Sequence, residues 1–186
     1  MKPDSRRPRV LICDSIAKIG LEMLQEHMDV DVKTGLSPAE LLAVVLDYEV
    51  LVVRSATQVT REVIDHGLRL KVIARAGAGL DNIDVEAAQE RGVQVINSPD
   101  ANTLAVAEHT MGLLLALARR LPRADLSLKA GKWEKNSLMG TGLSGKTLGI
   151  VGFGRIGREV AIRAQAFGMK ILVNQRRSTP ELGLEG

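Results

Sequence analysis

Three glycines carry the most specific chemical signal in this chain. Gly152, Gly154 and Gly157 stand in the spacing G-x-G-x-x-G directly after the apolar run 148–151, which reads as a buried strand. The residues that follow have helical periodicity, with Ile156, Val160, Ala164 and Phe167 on one face and Gly168 as the stop. A second apolar run at 171–173 closes the unit. Strand, glycine turn, helix and strand within about 30 residues is the context that makes a dinucleotide-binding fingerprint out of a common glycine pattern. Gly152 permits the tight turn, Gly154 lets a pyrophosphate approach the backbone, and Gly157 lets the helix lie close to its strand. The N–H groups and positive dipole at the helix start then hold the phosphates.

A second group stands far upstream. Arg54 and Ser55 follow the apolar run 50–53, at the strand end where open α/β sheets bind ligands, and a guanidinium there suits an oxyanion. On the dinucleotide side, an acidic residue about 20 positions beyond the glycines normally binds the ribose 2′-hydroxyl and selects NAD. Here Gln175 holds that place, followed by Arg176 and Arg177. An uncharged residue and two cations tolerate a 2′-phosphate, so relaxed or NADP-leaning preference is one expectation.

The elements that must position these groups alternate from the start. Strands are predicted at 9–13, 30–32, 50–53, 72–74 and 93–96. Between them lie helices over 16–27, with Ile16, Ile19, Met23 and Leu24 inward, and from Pro38 to about Asp47 behind a Ser37–Glu40 capping box. Short helices capped by Thr60 and Asp84 complete the series. Such βα alternation means a doubly wound parallel sheet. Asp81, Asn82 and Asp84 read as caps and braces for the fourth helix. The turn-rich stretch 98–102 is the expected domain crossing, giving domains 1–98 and 99–186. Beyond it come a long helix over 103–120, apolar on more than one face and so expected to be buried against a second domain or another subunit, a shorter one from Pro122, and an irregular arm anchored by Trp133.

Composition narrows the class. The chain has 186 residues, is 45% hydrophobic but 2% aromatic, and carries a formal net charge of +3. Acidic residues are interspersed with the basic clusters and aromatic stacking platforms are lacking, which argues against nucleic acid. No apolar stretch reaches membrane-spanning length. The single cysteine, Cys13, cannot form an internal disulfide and fits a reducing cytoplasm. No metal-ligand spacing stands out.

Several segments together resemble the D-isomer-specific 2-hydroxyacid dehydrogenases. They are Val52-Val-Arg-Ser-Ala-Thr57, Ala74-Arg-Ala-Gly-Ala-Gly-Leu-Asp-Asn-Ile-Asp84, Ala105-Val-Ala-Glu-His109, Gly131-Lys-Trp-Glu134, 143–157 and Phe167-Gly-Met169. The resemblance implies a flavodoxin-like or Rossmann-like substrate domain followed by a Rossmann domain, with a cleft between them. It implies oxidation of a 2-hydroxy acid, phosphorylated in the most similar branch, by hydride transfer to NAD. It places Arg54, Ser55, Ala76, Gly77, Ala78 and Gly79 at the substrate, and Ala78, Val106, Arg155 and Ile156 with the three glycines at the cofactor. Glu108 falls near the nicotinamide, whereas His109 is not the family's acid/base histidine. A homodimer or homotetramer is the implied assembly. The family's catalytic arginine, glutamate and histidine belong to a later part of the cofactor domain and have no counterpart here. The Rossmann domain is thus expected to be incomplete and the chain inactive alone. Another dehydrogenase of the family and a non-catalytic dinucleotide-binding module stay open as alternatives.

Overall fold

A computed structural model describes residues 7–175. Arg176 and Arg177, which enter the sequence reading above, lie outside the described residues. The chain divides into two compact units, Met1–Ala101 and Asn102–Gly186.

The first unit contains β1 (Arg9–Ile12), α1 (Lys18–His27), β2 (Asp29–Val32), α2 (Pro38–Val45), β3 (Val50–Val53), α3 (Arg61–His66), β4 (Val72–Arg75), α4 (Val85–Glu90) and β5 (Gln94–Asn97). All pairings are parallel in the order β2-β1-β3-β4-β5, the flavodoxin-like arrangement. β-branched residues fill the central strands because their stiff side chains suit a pleat covered on both faces. Local signals set the helix starts. Ser37 Oγ accepts from the Glu40 N–H, and Glu40 Oε2 accepts from the Ser37 N–H at 2.8 Å. Thr60 and Asp84 cap α3 and α4 through the N–H groups of Val63 and Ala87.

One sheet face, with Leu11, Leu51, Val53 and Ile73, buries against α2, α3 and α4. The other carries Val10, Ile12 and Val52, met by Leu21, Leu24 and Met28 of α1 and its flank. Here the structure corrects the sequence reading, for Ile19 and Met23 are exposed. Ile16 precedes the helix, which begins only at Lys18, so the inward stripe is the i, i+3, i+7 set from Leu21.

Tyr48 is fully buried against this core, and its hydroxyl donates to Asp31 Oδ2 at 2.7 Å, beside the guanidinium of Arg9 at 3.1 Å. Burial, and then the hydrogen bond to Asp31, push its phenol up to about 12 from an ordinary 10.0. Below pH 10 both folded and unfolded chains keep the proton; between 10 and about 12 only the unfolded chain releases it, so stability falls with rising pH in that window. Tyr48 is the only tyrosine, so the phenolate absorbance of the native protein reports it alone. Its midpoint is expected near 12, and a midpoint near 10 refutes the buried pairing.

The second unit contains α5 (Thr103–Ala118), α6 (Leu121–Lys129), β6 (Thr147–Val151), α7 (Arg155–Ala166) and β7 (Lys170–Asn174). β6 and β7 pair in parallel, Val151 opposite Asn174. Ala107 and Met111 of α5, Val160 and Ala164 of α7, and Met169 form its core, with Leu148, Ile150 and Ile171 packed on it. Gly168, at φ +70°, ends α7 as expected. Two expectations change, at β6 and at Trp133. β6 is half-buried, since its alternate residues face out and Val151 is exposed. The long helix buries one stripe, leaving Leu104, Leu113 and Leu117 exposed. Trp133 is 80% exposed, too open to anchor the arm as expected.

Candidate functional site

Two groups of candidate residues emerge, one in each unit. In the first, the C-terminal ends of β1, β3, β4 and β5 lie along one edge of the parallel sheet, the edge at which this architecture takes ligands. Arg54 and Ser55 leave β3 and are exposed. The Arg54 guanidinium donates to the Ser15 carbonyl at 3.3 Å, which engages one of its five N–H groups. The 76–79 turn leaves β4 beside it. Its Ala76 N–H donates to the Val53 carbonyl at 2.8 Å, its Gly77 carbonyl accepts from the Ser98 N–H at 3.0 Å, and its Ala78 carbonyl accepts from Asn97 Nδ2 at 2.6 Å. The turn is therefore fastened to the ends of both neighbouring strands. A mostly apolar cavity of about 360 Å³ opens on this edge, with Leu24, Val52, Ala74, Arg75 and Asn97 in its wall.

The turns rest on three polar residues to which the sequence reading gave no such part. Asp14, 8% exposed, accepts from the N–H groups of Arg54 at 2.5 Å and Thr57 at 3.2 Å through the same carboxylate oxygen. Asn82, 3% exposed, donates through Nδ2 to the carbonyls of Arg54 at 2.7 Å and Thr57 at 2.6 Å. Its Oδ1 accepts from Arg75 Nε at 2.7 Å. The Arg75 side chain is 10% exposed and also pairs with Asp81 at 3.3 Å. Asn82 was expected to brace α4; that task falls to Asp84, and Asn82 instead faces back to the 54–57 turn. The only sequence hint was the polar residues that follow β1 and β3, which are common at such edges. Cys13, next to Asp14, is fully buried, and desolvation pushes its thiol up to about 12, so it is not a nucleophile at neutral pH.

In the second unit the glycine turn joins β6 to α7. Each glycine meets a different demand. Gly152 sits at φ +91°, in the left-handed region that side chains rarely adopt. A Cβ on Gly157 would lie 2.6 Å from the Gly152 carbonyl oxygen, so α7 crosses the turn in direct contact. Among the described residues, a Cβ on Gly154 would meet nothing within 4 Å apart from its chain neighbours. Gly154 is the N-cap of α7, no side chain caps that end, and no acidic residue occupies the first turn. Packing alone does not require glycine at 154, whereas a diphosphate lying against the backbone does. Arg155 and Ile156 open the helix. The turn is tied to β7 by the Gly152 N–H, which donates to the Asn174 carbonyl at 2.8 Å, so Gln175 follows at the strand end beside the glycines.

Val106 lies half-buried in the first turn of α5, its N–H bonded to the Asn102 carbonyl at 2.9 Å. Glu108 pairs with Arg163 at 3.8 Å and His109 is exposed, so neither forms a catalytic dyad among the described residues. Nor does any group of three or more His, Cys, Asp or Glu converge there as a metal site. No helix among them is long and apolar enough to cross a membrane.

The sequence pattern of the family described as "D-isomer specific 2-hydroxyacid dehydrogenase, catalytic domain" matches residues 10–181. A D-3-phosphoglycerate dehydrogenase of Methanocaldococcus jannaschii is 52% identical over 88% of this chain and 31% of its own length. A hydroxypyruvate reductase of Thermotoga maritima is also 52% identical, over 89% of this chain and 55% of its own. The chain thus spans about a third to a half of these relatives. Among solved structures, a 3-phosphoglycerate dehydrogenase of Entamoeba histolytica with bound NAD+ superposes with a TM-score of 0.76, at 29% identity, over 95% of this chain and 56% of that one.

Proposed function

Because the chain belongs to the D-isomer specific 2-hydroxyacid dehydrogenase family, we propose that it supplies the substrate-anion site and the dinucleotide-phosphate site of a 3-phosphoglycerate dehydrogenase. In this reading Met1–Ala101 is the substrate domain and Asn102–Gly186 the beginning of the NAD-binding domain. The observation that carries it is the open, uncapped helix start at Gly154, which fits a diphosphate and has no packing purpose.

The 152–157 turn would hold the pyrophosphate, with the helix dipole and first-turn N–H groups complementing its charge. Gln175, which follows β7, would contact the ribose. When bound, the nicotinamide supplies the hydride acceptor. Arg54 and Ser55, with the backbone of the 76–79 turn, would grip the carboxylate or phosphate of a 2-hydroxy acid, the guanidinium providing a fixed, always charged fork. Val106 belongs to the nicotinamide side in this reading. The reaction it serves is oxidation of the hydroxyl of 3-phospho-D-glycerate, the entry to serine synthesis, in the cytoplasm. Leu117, Leu121, Leu126, Leu128 and Trp133 are exposed in the second unit, and a second copy of the chain is the occupant proposed for that apolar surface.

Titration calorimetry with NAD, NADP and 3-phospho-D-glycerate tests the proposal. Saturable binding of a dinucleotide and of the phosphorylated acid is expected; failure to bind either refutes it. A preference for NADP assigns Gln175 and the following arginines to a 2′-phosphate. A second reading rests on the equal identity to the hydroxypyruvate reductase, and tighter binding of unphosphorylated glycerate than of phosphoglycerate favours it.

A further inference from the structure

We infer that Asn82 is a positioning residue for substrate-anion binding, holding the 54–57 and 77–79 turns in a single arrangement. The inference rests on the proposed role of those turns. Asn82 touches no solvent-facing ligand position; it acts through what it holds.

The hydrogen-bond pattern leaves the amide one orientation. Both Nδ2 protons are committed to carbonyls, Arg54 at 2.7 Å and Thr57 at 2.6 Å, while Oδ1 takes the Arg75 Nε proton at 2.7 Å. Turning the amide over would set an oxygen against two carbonyl oxygens and an NH2 against a guanidinium. Asp14 grips the same turn from the other polarity, accepting from the N–H groups of Arg54 and Thr57. The N–H and the C=O of both Arg54 and Thr57 are thus spoken for, and the backbone that carries Arg54 and Ser55 cannot rotate without breaking these bonds.

Arg75 extends the hold to the second turn. Its guanidinium lies beneath Gly77 and Gly79, where a Cβ on either glycine would stand 3.2 Å from Nη1. The Arg75 guanidinium, fixed by Asn82 and paired with Asp81, therefore supports the loop from below. Asn82 is itself locked by its backbone, since its carbonyl accepts from the Val59 N–H at 2.8 Å. The chain of contacts runs from the 54–57 turn through Asn82 and Arg75 to the 77–79 turn.

Asn82→Asp tests this with an isosteric side chain that still accepts from Arg75 but no longer donates to the two carbonyls. Its affinity for 3-phospho-D-glycerate is expected to fall about tenfold or more, with NAD affinity in the same sample unchanged within about twofold. A purely structural residue would lower the melting temperature without separating the two ligands. Undiminished phosphoglycerate binding by Asn82→Asp overturns the inference. If the wild-type chain itself fails to bind phosphoglycerate, the proposed function falls and this inference with it. Nuclear magnetic resonance of the wild-type protein gives a second test that needs no variant. The Asn82 side-chain amide signals should shift with the same phosphoglycerate midpoint as the Gly77 and Gly79 backbone amides. Loop amides that shift while the Asn82 amide stays still overturn the coupling.

Discussion

Gly154→Val should cost this protein its dinucleotide and leave its fold standing. The backbone at 154 is extended, at φ −82° and ψ −160°, a conformation open to any residue. Among the described residues, nothing apart from its chain neighbours stands within 4 Å of the Cβ that would be added there. The penalty to folding is then the poorer N-cap, about 1 kcal/mol at most. The penalty to binding is larger, because the isopropyl group would fill the space through which a diphosphate reaches the first N–H groups of α7. Losing charge-assisted hydrogen bonds of about 1.5–3 kcal/mol corresponds to a fall in NAD affinity of roughly 10- to 100-fold. Calorimetric titration with NAD beside a thermal melt checks both halves. An affinity equal to wild type would remove the observation on which the functional proposal rests.

Gly157→Ala should fail in the opposite order, unfolding first. In an open helix this change gains about 1 kcal/mol, since alanine is the better helix former. Here the new methyl would sit 2.6 Å from the Gly152 carbonyl oxygen and 3.4 Å from Ile150 Cγ2. The obstructing atom is main chain, and belongs to a residue held at φ +91° in the tight turn, so it cannot swing aside as a side-chain tip can. Forced separation of helix and strand costs about 1–3 kcal/mol. We expect a net loss of stability in chemical denaturation, and weaker NAD binding because the displaced atoms belong to the turn itself. A Gly157→Ala protein as stable as wild type would show that α7 does not pack on the turn as described. Two glycines three positions apart are thereby assigned separate duties, one toward a ligand and one toward the fold.

Much of the architecture was legible before any coordinates. The capping box at Ser37, the caps at Thr60 and Asp84, the strand at Val50–Val53 and the stop at Gly168 are all decided within a few residues, where backbone sterics and orphaned N–H groups leave little choice. The inward face of α1 was read only in part, because Ile19 and Met23 are exposed while Leu21 and Met28 join Leu24 on the sheet. Trp133 was read as an anchor from its size alone, but whether a large side chain finds a pocket depends on what comes to meet it.

The sequence by itself determined a parallel α/β chain and a glycine turn suited to a diphosphate, because turn strain, helix capping and close backbone approach are properties of neighbouring residues. Only the tertiary structure decided which polar residues stand behind the substrate-side turns. Asp14 and Arg54 are 40 residues apart and Arg54 and Asn82 are 28 apart, and nothing local to any of them records the meeting. The sheet order brings their strand ends together, and burial then makes every unpaired polar atom costly enough to fix who bonds to whom.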